Sequence, residues 1–255
     1  VNWRWGYPPA AAPSIFNAVS PQPPRAVYRH RPLTRLWHWV NAVAIFVMIG
    51  SGLMILNAHP QLYWGEYGAN FDRAWIRFDR FPGWITIPST YNLALARRWH
   101  LFFALVLGFG LLLFLVGSLL NCHISRDLAI RRRELSRRHL WADFRAHLAF
   151  RFHDPESPRD YNSFQKLSYV AILFVALPLV ILTGLTLSPG MNAAWPWLLD
   201  LFGGRASARS IHFLATAAIT LFTIVHLTLV ILAGPVNEVR SMITGWWRVP
   251  ENVQP

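Results

Sequence analysis

Four histidines of this 255-residue chain stand inside long stretches that carry no charged residue: His38, His100, His212 and His226. An imidazole in an apolar segment has three uses. It can ligate iron or another metal, relay a proton, or stay neutral and hydrogen-bond one helix to another. Spacing narrows the choice. His212 and His226 are fourteen residues apart in one apolar stretch. On an α-helix that offset leaves about 40° around the axis and about 21 Å along it. One helix face therefore offers an imidazole near each end. Three of the four histidines have an arginine three residues earlier, at Arg35, Arg97 and Arg209. Positions i and i+3 share a helix face. Each guanidinium then lies a turn nearer water than its imidazole, where it would meet a cofactor carboxylate such as a haem propionate. An interfacial, snorkelling arginine is the competing reading, above all for Arg35.

The stretches that must position these residues cover 36–57, 99–120, 167–188 and 210–234, and none contains Asp, Glu, Lys or Arg. Each is long enough to cross a bilayer as a helix, which takes about 18 residues or more. Composition agrees: 54% of residues are hydrophobic and 14% are charged, against about 25% charged in an ordinary soluble domain. The single cysteine, Cys122, excludes a disulfide scaffold, a cysteine-ligated iron–sulfur cluster and covalently attached haem.

The net charge of +12 suggests nucleic acid at first sight, but its distribution argues for topology. Seventeen of the 24 Lys and Arg residues lie in the N-terminal segment, the 121–166 loop and the C-terminal segment. Seven lie in the 58–98 and 189–209 loops. The positive-inside rule puts both termini and the 121–166 loop in the cytoplasm of a bacterial inner membrane. The basic residues then meet anionic lipid, and no nucleic-acid role is expected. Segment 123–150 reads as basic amphipathic helix on the inner leaflet. Residues 1–30 read as a proline-rich cytoplasmic tail with no signal peptide, 31–247 as the four-span domain and 248–255 as a C-terminal tail. Trp37, Trp39, Trp99, Trp246 and Trp247 fit aromatic belts at the interfaces. The aromatic-rich 58–98 loop is either a self-packed cap or a docking surface for a partner on the outer side.

Alternating span directions sort the histidines by depth. His38 starts the first span and His226 ends the fourth, both near the inner side. His100 starts the second and His212 starts the fourth, both near the outer side. Two imidazole pairs at two depths suit two bis-histidine b haems. A zinc site would want further ligands at the same depth. Gly52 lies fourteen residues after His38, so it would face the outer haem where a side chain would clash. Gly184 is at a similar depth. His30 and Asn41 are candidates for a quinone pocket on the inner side. His59 falls at or beyond the outer surface.

The stretch RLWHWVNAVAIFVMIGSGLMI in the first span, RRWH in the second, and SIH with VH fourteen residues on in the fourth resemble a known family. It comprises the prokaryotic dihaem cytochrome b subunits of formate dehydrogenase, nickel–iron hydrogenase and thiosulfate reductase. NAHPQLYWG and NEVRSMITGWW are most similar to the thiosulfate-reductase-type branch. The resemblance covers about Tyr28 to Trp247. It implies an all-α, integral membrane four-helix bundle with two b haems, ligated by His38 with His226 and by His100 with His212. It also implies electron transfer between an outer, periplasmic redox subunit and quinone at the inner haem. In this branch the partner is a molybdopterin oxidoreductase, with or without an iron–sulfur subunit. The proline-rich extension and the long arginine-rich loop depart from the family pattern.

Two other classes compete. A histidine-dependent transporter or proton relay predicts carboxylates along a pathway and often an internal repeat. The spans hold no carboxylate, and no clear repeat is visible. A passive membrane anchor leaves the paired depths unexplained.

Overall fold

A computed structural model describes residues 26–66, 73–120 and 163–249, together with Ser136, Trp141 and Arg145. The N-terminal tail up to residue 25 and nearly all of the expected amphipathic segment 123–150 lie outside the described residues.

Four helices are long and apolar enough to span a membrane: α1 (Pro32–Leu56), α2 (Leu93–Leu120), α3 (Ser163–Leu187) and α6 (Arg205–Leu232). Their ends agree with the uncharged stretches to within two residues, but each begins four to six residues earlier. The extra turn holds Arg35, Arg97, Arg98, Lys166, Arg205 and Arg209. Charge does not end a helix at a membrane surface, because long basic side chains carry their heads out to the interface. Pro32 opens α1, where a missing N–H costs nothing. Inside α3, residues Ile172–Ala176 widen to a π turn. Pro178 follows directly; it donates no hydrogen bond and would crowd the carbonyl of Phe174, and the wider turn accommodates it.

Close backbone approach is concentrated within two helical hairpins, α1 with α2 and α3 with α6. Side chains close the seam between them. Leu107, Leu111 and Phe114 of α2 meet Leu173, Leu177 and Val180 of α3 and Ala215 and Ile219 of α6. The outward faces keep Phe109, Leu113 and Leu221 more than 60% exposed, as lipid-facing side chains require. Helices α4 (Pro189–Ala194) and α5 (Pro196–Leu201) join α3 to α6.

The loop between α1 and α2 packs back on the bundle as a cap. Its strands β2 (Gln61–Leu62) and β3 (Ile76–Arg77) pair antiparallel. Trp75 Nε1 donates to Ser210 Oγ at 3.0 Å, Ser210 Oγ donates to the Tyr63 carbonyl at 2.6 Å, and Phe78 meets Phe213. Gly204 has φ +95°, and an added Cβ would collide with the backbone of Glu66; only glycine meets both demands. Trp84 nonetheless stays 85% exposed.

At the opposite end, β1 (Ala26–Tyr28) pairs antiparallel with β4 (Trp246–Arg248), with Val27 opposite Trp247. The amphipathic helix α7 (Pro235–Thr244) lies between α6 and β4. Trp247, expected in an aromatic belt, is 1% exposed. Its indole donates to Glu238 Oε1 at 2.9 Å and lies under the Arg29 guanidinium. Trp246 remains half-exposed beside Tyr28. Residues 26–28 therefore belong to the folded body, not to a tail.

Candidate cofactor site

The end of the bundle that holds β1, β4 and α7 is called the inner end and the end under the cap the outer end, after the orientation expected from the charge distribution. Across the seam the structure brings the four intramembrane histidines together as two pairs. His100 of α2 and His212 of α6 have ring centroids 6.2 Å apart. His38 of α1 and His226 of α6 have theirs 6.3 Å apart. Among the described residues no group of three or more His, Cys, Asp or Glu side chains gathers anywhere, so each pair stands alone. Two metal–nitrogen bonds of about 2.0 Å, plus about 1.1 Å from each nitrogen to its ring centre, give about 6.2 Å between centroids for one iron between two imidazoles. Both pairs match that length.

The outer rings are held firmly. Ser51 Oγ is 3.0 Å from His100 Nδ1, and Thr183 Oγ1 is 3.1 Å from His212 Nδ1. Each hydroxyl also donates to the carbonyl one turn back in its own helix, Val47 at 2.6 Å and Leu179 at 2.7 Å. With its proton committed there, the hydroxyl accepts from Nδ1–H. The proton then sits on Nδ1, and Nε2 keeps the lone pair a metal needs. The next residue in each helix is glycine. A Cβ on Gly52 would lie 3.4 Å from His100 Cε1, and one on Gly184 3.3 Å from His212 Cε1. Gly52 thus lies against the His100 ring. A cavity of about 30 Å³ lies between the rings, walled by Ile45, Met48, Leu177 and Val180 among others.

One family model, described as prokaryotic cytochrome b561, matches residues 29–245. The chain belongs to that family. It is therefore a multi-pass membrane b-type cytochrome that takes part in electron transfer, and b-type haem is its cofactor. A Cupriavidus necator protein named as a Ni/Fe-hydrogenase B-type cytochrome subunit is 26% identical, with 87% of each chain covered. A protein of the same name from Rhodobacter capsulatus is 24% identical over 86% of this chain and 80% of its own. An Azospira oryzae protein named as a protein-methionine-sulfoxide reductase subunit is 25% identical over 80% of this chain and 90% of its own. No solved structure matches the chain.

The inner end of this cytochrome is built differently. His38 Nδ1 and Asn41 Oδ1 are buried and have no hydrogen-bond partner among the described residues. Asn41 spends its amide N–H on the Trp37 carbonyl at 2.8 Å. The His226 ring stacks on Phe222. His30 is partly buried beside the start of β4, its backbone N–H directed at the Gly245 carbonyl. Burial, with Arg29, His38 and Arg35 adding like charge, holds its imidazole down to about 4. It is neutral at pH 7 and able both to donate and to accept.

The three arginines separate in the structure. Arg35 donates to the Ile243 carbonyl, and Trp39 Nε1 donates to Met242 O at 3.1 Å; both tie α7 to α1. Arg97 is exposed on α2. Arg209 is half-buried and donates to the His59 carbonyl under the cap. The His59 ring stacks on Tyr63, and burial, followed by Arg209, pushes its imidazole below the usual range.

Sequence reasoning did not single out Ser51 or Thr183. A signal was present: each histidine-facing glycine is preceded by a hydroxyl residue, Ser51-Gly52 and Thr183-Gly184.

Proposed function

We propose that this cytochrome carries electrons across the bacterial inner membrane between a periplasmic redox enzyme at its outer end and quinone at its inner end. His100 and His212 hold one b haem, and His38 and His226 hold a second. The observation that carries this reading is the pair of imidazole separations, 6.2 and 6.3 Å at two depths. Haem, when bound, would supply a one-electron carrier, and His100 with His212 and His38 with His226 are the side chains that would hold it.

The chain's own residues supply the rest. Arg97 and Arg209 are the guanidiniums that would meet the propionates at the outer end, and Arg35, which donates to the Ile243 carbonyl, is their counterpart at the inner end. Gly52 leaves room beside His100. His30 and Asn41 face quinone, His30 through its neutral imidazole and Asn41 through a side-chain oxygen that has no partner among the described residues. Both termini lie in the cytoplasm.

The outer partner docks on the 58–98 cap and the 189–209 segment, where Trp84, Trp195 and Trp197 are exposed. The sequence motifs favour a molybdopterin oxidoreductase, with or without an iron–sulfur subunit. The relatives' names, a hydrogenase subunit and a methionine-sulfoxide reductase subunit, support a redox enzyme in that place.

A pyridine haemochrome assay with a reduced-minus-oxidised spectrum of the purified protein tests the reading. Two b haems per chain are expected. One haem removes the two-site wire, and none removes the ligand assignment altogether.

A further inference from the structure

We propose that Ser51 and Thr183 are positioning residues, acting through His100 and His212, that give the outer site the lower reduction potential of the two. This rests on the reading that the two histidine pairs each hold a b haem.

The two hydroxyls form a repeated device. Each stands on one helix of a hairpin, just before a glycine, and faces a ring on the other helix: α1 to α2 in one hairpin, α3 to α6 in the other. Both side chains are completely buried, so water cannot substitute for them. Each hydroxyl directs its proton at carbonyls of its own helix, so it is left to accept from the ring. Nδ1–H is therefore the donor on both rings, toward an acceptor polarised by its own bond to Val47 or Leu179. Such a bond makes the imidazole a more basic ligand. A more basic axial ligand favours ferric over ferrous iron and lowers the potential.

Nothing equivalent supports His38, whose Nδ1 is buried without a partner among the described residues. An unassisted imidazole is the weaker electron donor, so the inner site favours ferrous iron. Electrons then run downhill from the outer end to the inner end. That is the direction a quinone-reducing chain needs, and the hydroxyls create it.

Redox titration of the purified holoprotein, followed in the b-haem absorbance, tests this, with His212→Ala used to assign the outer component. Ser51→Ala and Thr183→Val should each raise the outer potential and leave the inner one in place. A tenfold loss of ferric preference corresponds to about 59 mV for a one-electron couple. Thr183→Ser, which keeps the hydroxyl, should keep the parent value. Three results would overturn the proposal: no shift with haem retained, an equal shift of both components, or an outer potential above the inner one in the unaltered protein. If Ser51→Ala loses the outer haem outright, the isosteric pair at position 183 decides. Loss in Thr183→Val but not in Thr183→Ser supports the hydroxyl's role, and loss in both reduces it to packing. A preparation holding fewer than two b haems per chain strikes the ligand reading instead, before any potential is measured.

Discussion

The two histidine pairs share a spacing and differ in everything around it. At the outer end each ring has a hydroxyl on Nδ1 and a glycine against Cε1. The cap covers this end, fastened to α6 through Ser207, Arg209 and Ser210. At the inner end, among the described residues, His38 has a buried ring nitrogen without a partner, Asn41 an unused oxygen, and His30 a neutral imidazole nearby. A site that only passes electrons gains from rigidity, because bonds that fix the rings also fix the ligand field. A site that meets a quinone must leave polar groups free to bind it and to move protons. The outer end has the character of the first and the inner end that of the second.

The sharpest way to break this comparison is to remove one proposed ligand from each end. His212→Ala should abolish the outer haem and leave about one b haem per chain. His38→Ala should do the reverse. Haem content, with a redox titration of what remains, reads both. The residual component should differ between the two variants in potential. Loss of both haems from either variant would show one cooperative site rather than two different ones.

A smaller effect is expected from the glycine that backs His212. Its Cβ position is already 3.3 Å from the ring, so Gly184→Ala needs a shift of only a few tenths of an ångström. Gly184→Leu cannot be absorbed that way. Overpacking costs about 1–3 kcal/mol, which predicts about a five- to 150-fold weaker hold on the outer haem. His226 of the proposed inner site lies about 21 Å away along α6, and haem there should stay at full occupancy. Haem retention during chromatography separates the two cases.

Much of this comparison was legible in the chain, and its limits are physical. The spans were legible because uncharged apolar runs of that length have few other uses. The pairing of His38 with His226 and of His100 with His212 followed from alternating direction and the fourteen-residue offset in α6. Ser51 and Thr183 were not legible. A hydroxyl in a membrane helix ordinarily bonds the carbonyl a turn back, and only the neighbouring hairpin helix shows that it faces a ring as well. Arg35 matched the spacing of the other two arginines, yet tertiary packing directs it to Ile243. The closure of β1 on β4 joins segments about 220 residues apart through three residues each, too short for a pattern. Trp247 therefore read as an interface residue when it is the core of that closure.

The smallest predicted effect belongs to the inner end and depends on pH. At the outer end burial and Arg209 lower the His59 imidazole under the cap, but only the inner end has a histidine held down to about 4 outside the spans, among the described residues. His30 sits at the closure, with Arg29, Arg35 and His38 facing it, and its folded-state value of about 4 lies below the ordinary 6.5. Between those values the opened closure binds a proton that the closed one refuses. Acidification from pH 6.5 toward 4 should therefore favour opening, and raising the pH should restore the closed form. The slope is at most about 1.4 kcal/mol per pH unit for one proton, and salt screening of the flanking arginines trims it. Hydrogen exchange at Val27 and Trp247 follows the opening directly. Exchange there should quicken as the pH falls through this window, beyond the intrinsic pH trend of amides in the cap. His30→Asn, which keeps a polar group and removes the titration, should flatten the difference. An equal pH response in the cap and the closure would mean that His30 does not distinguish the two ends.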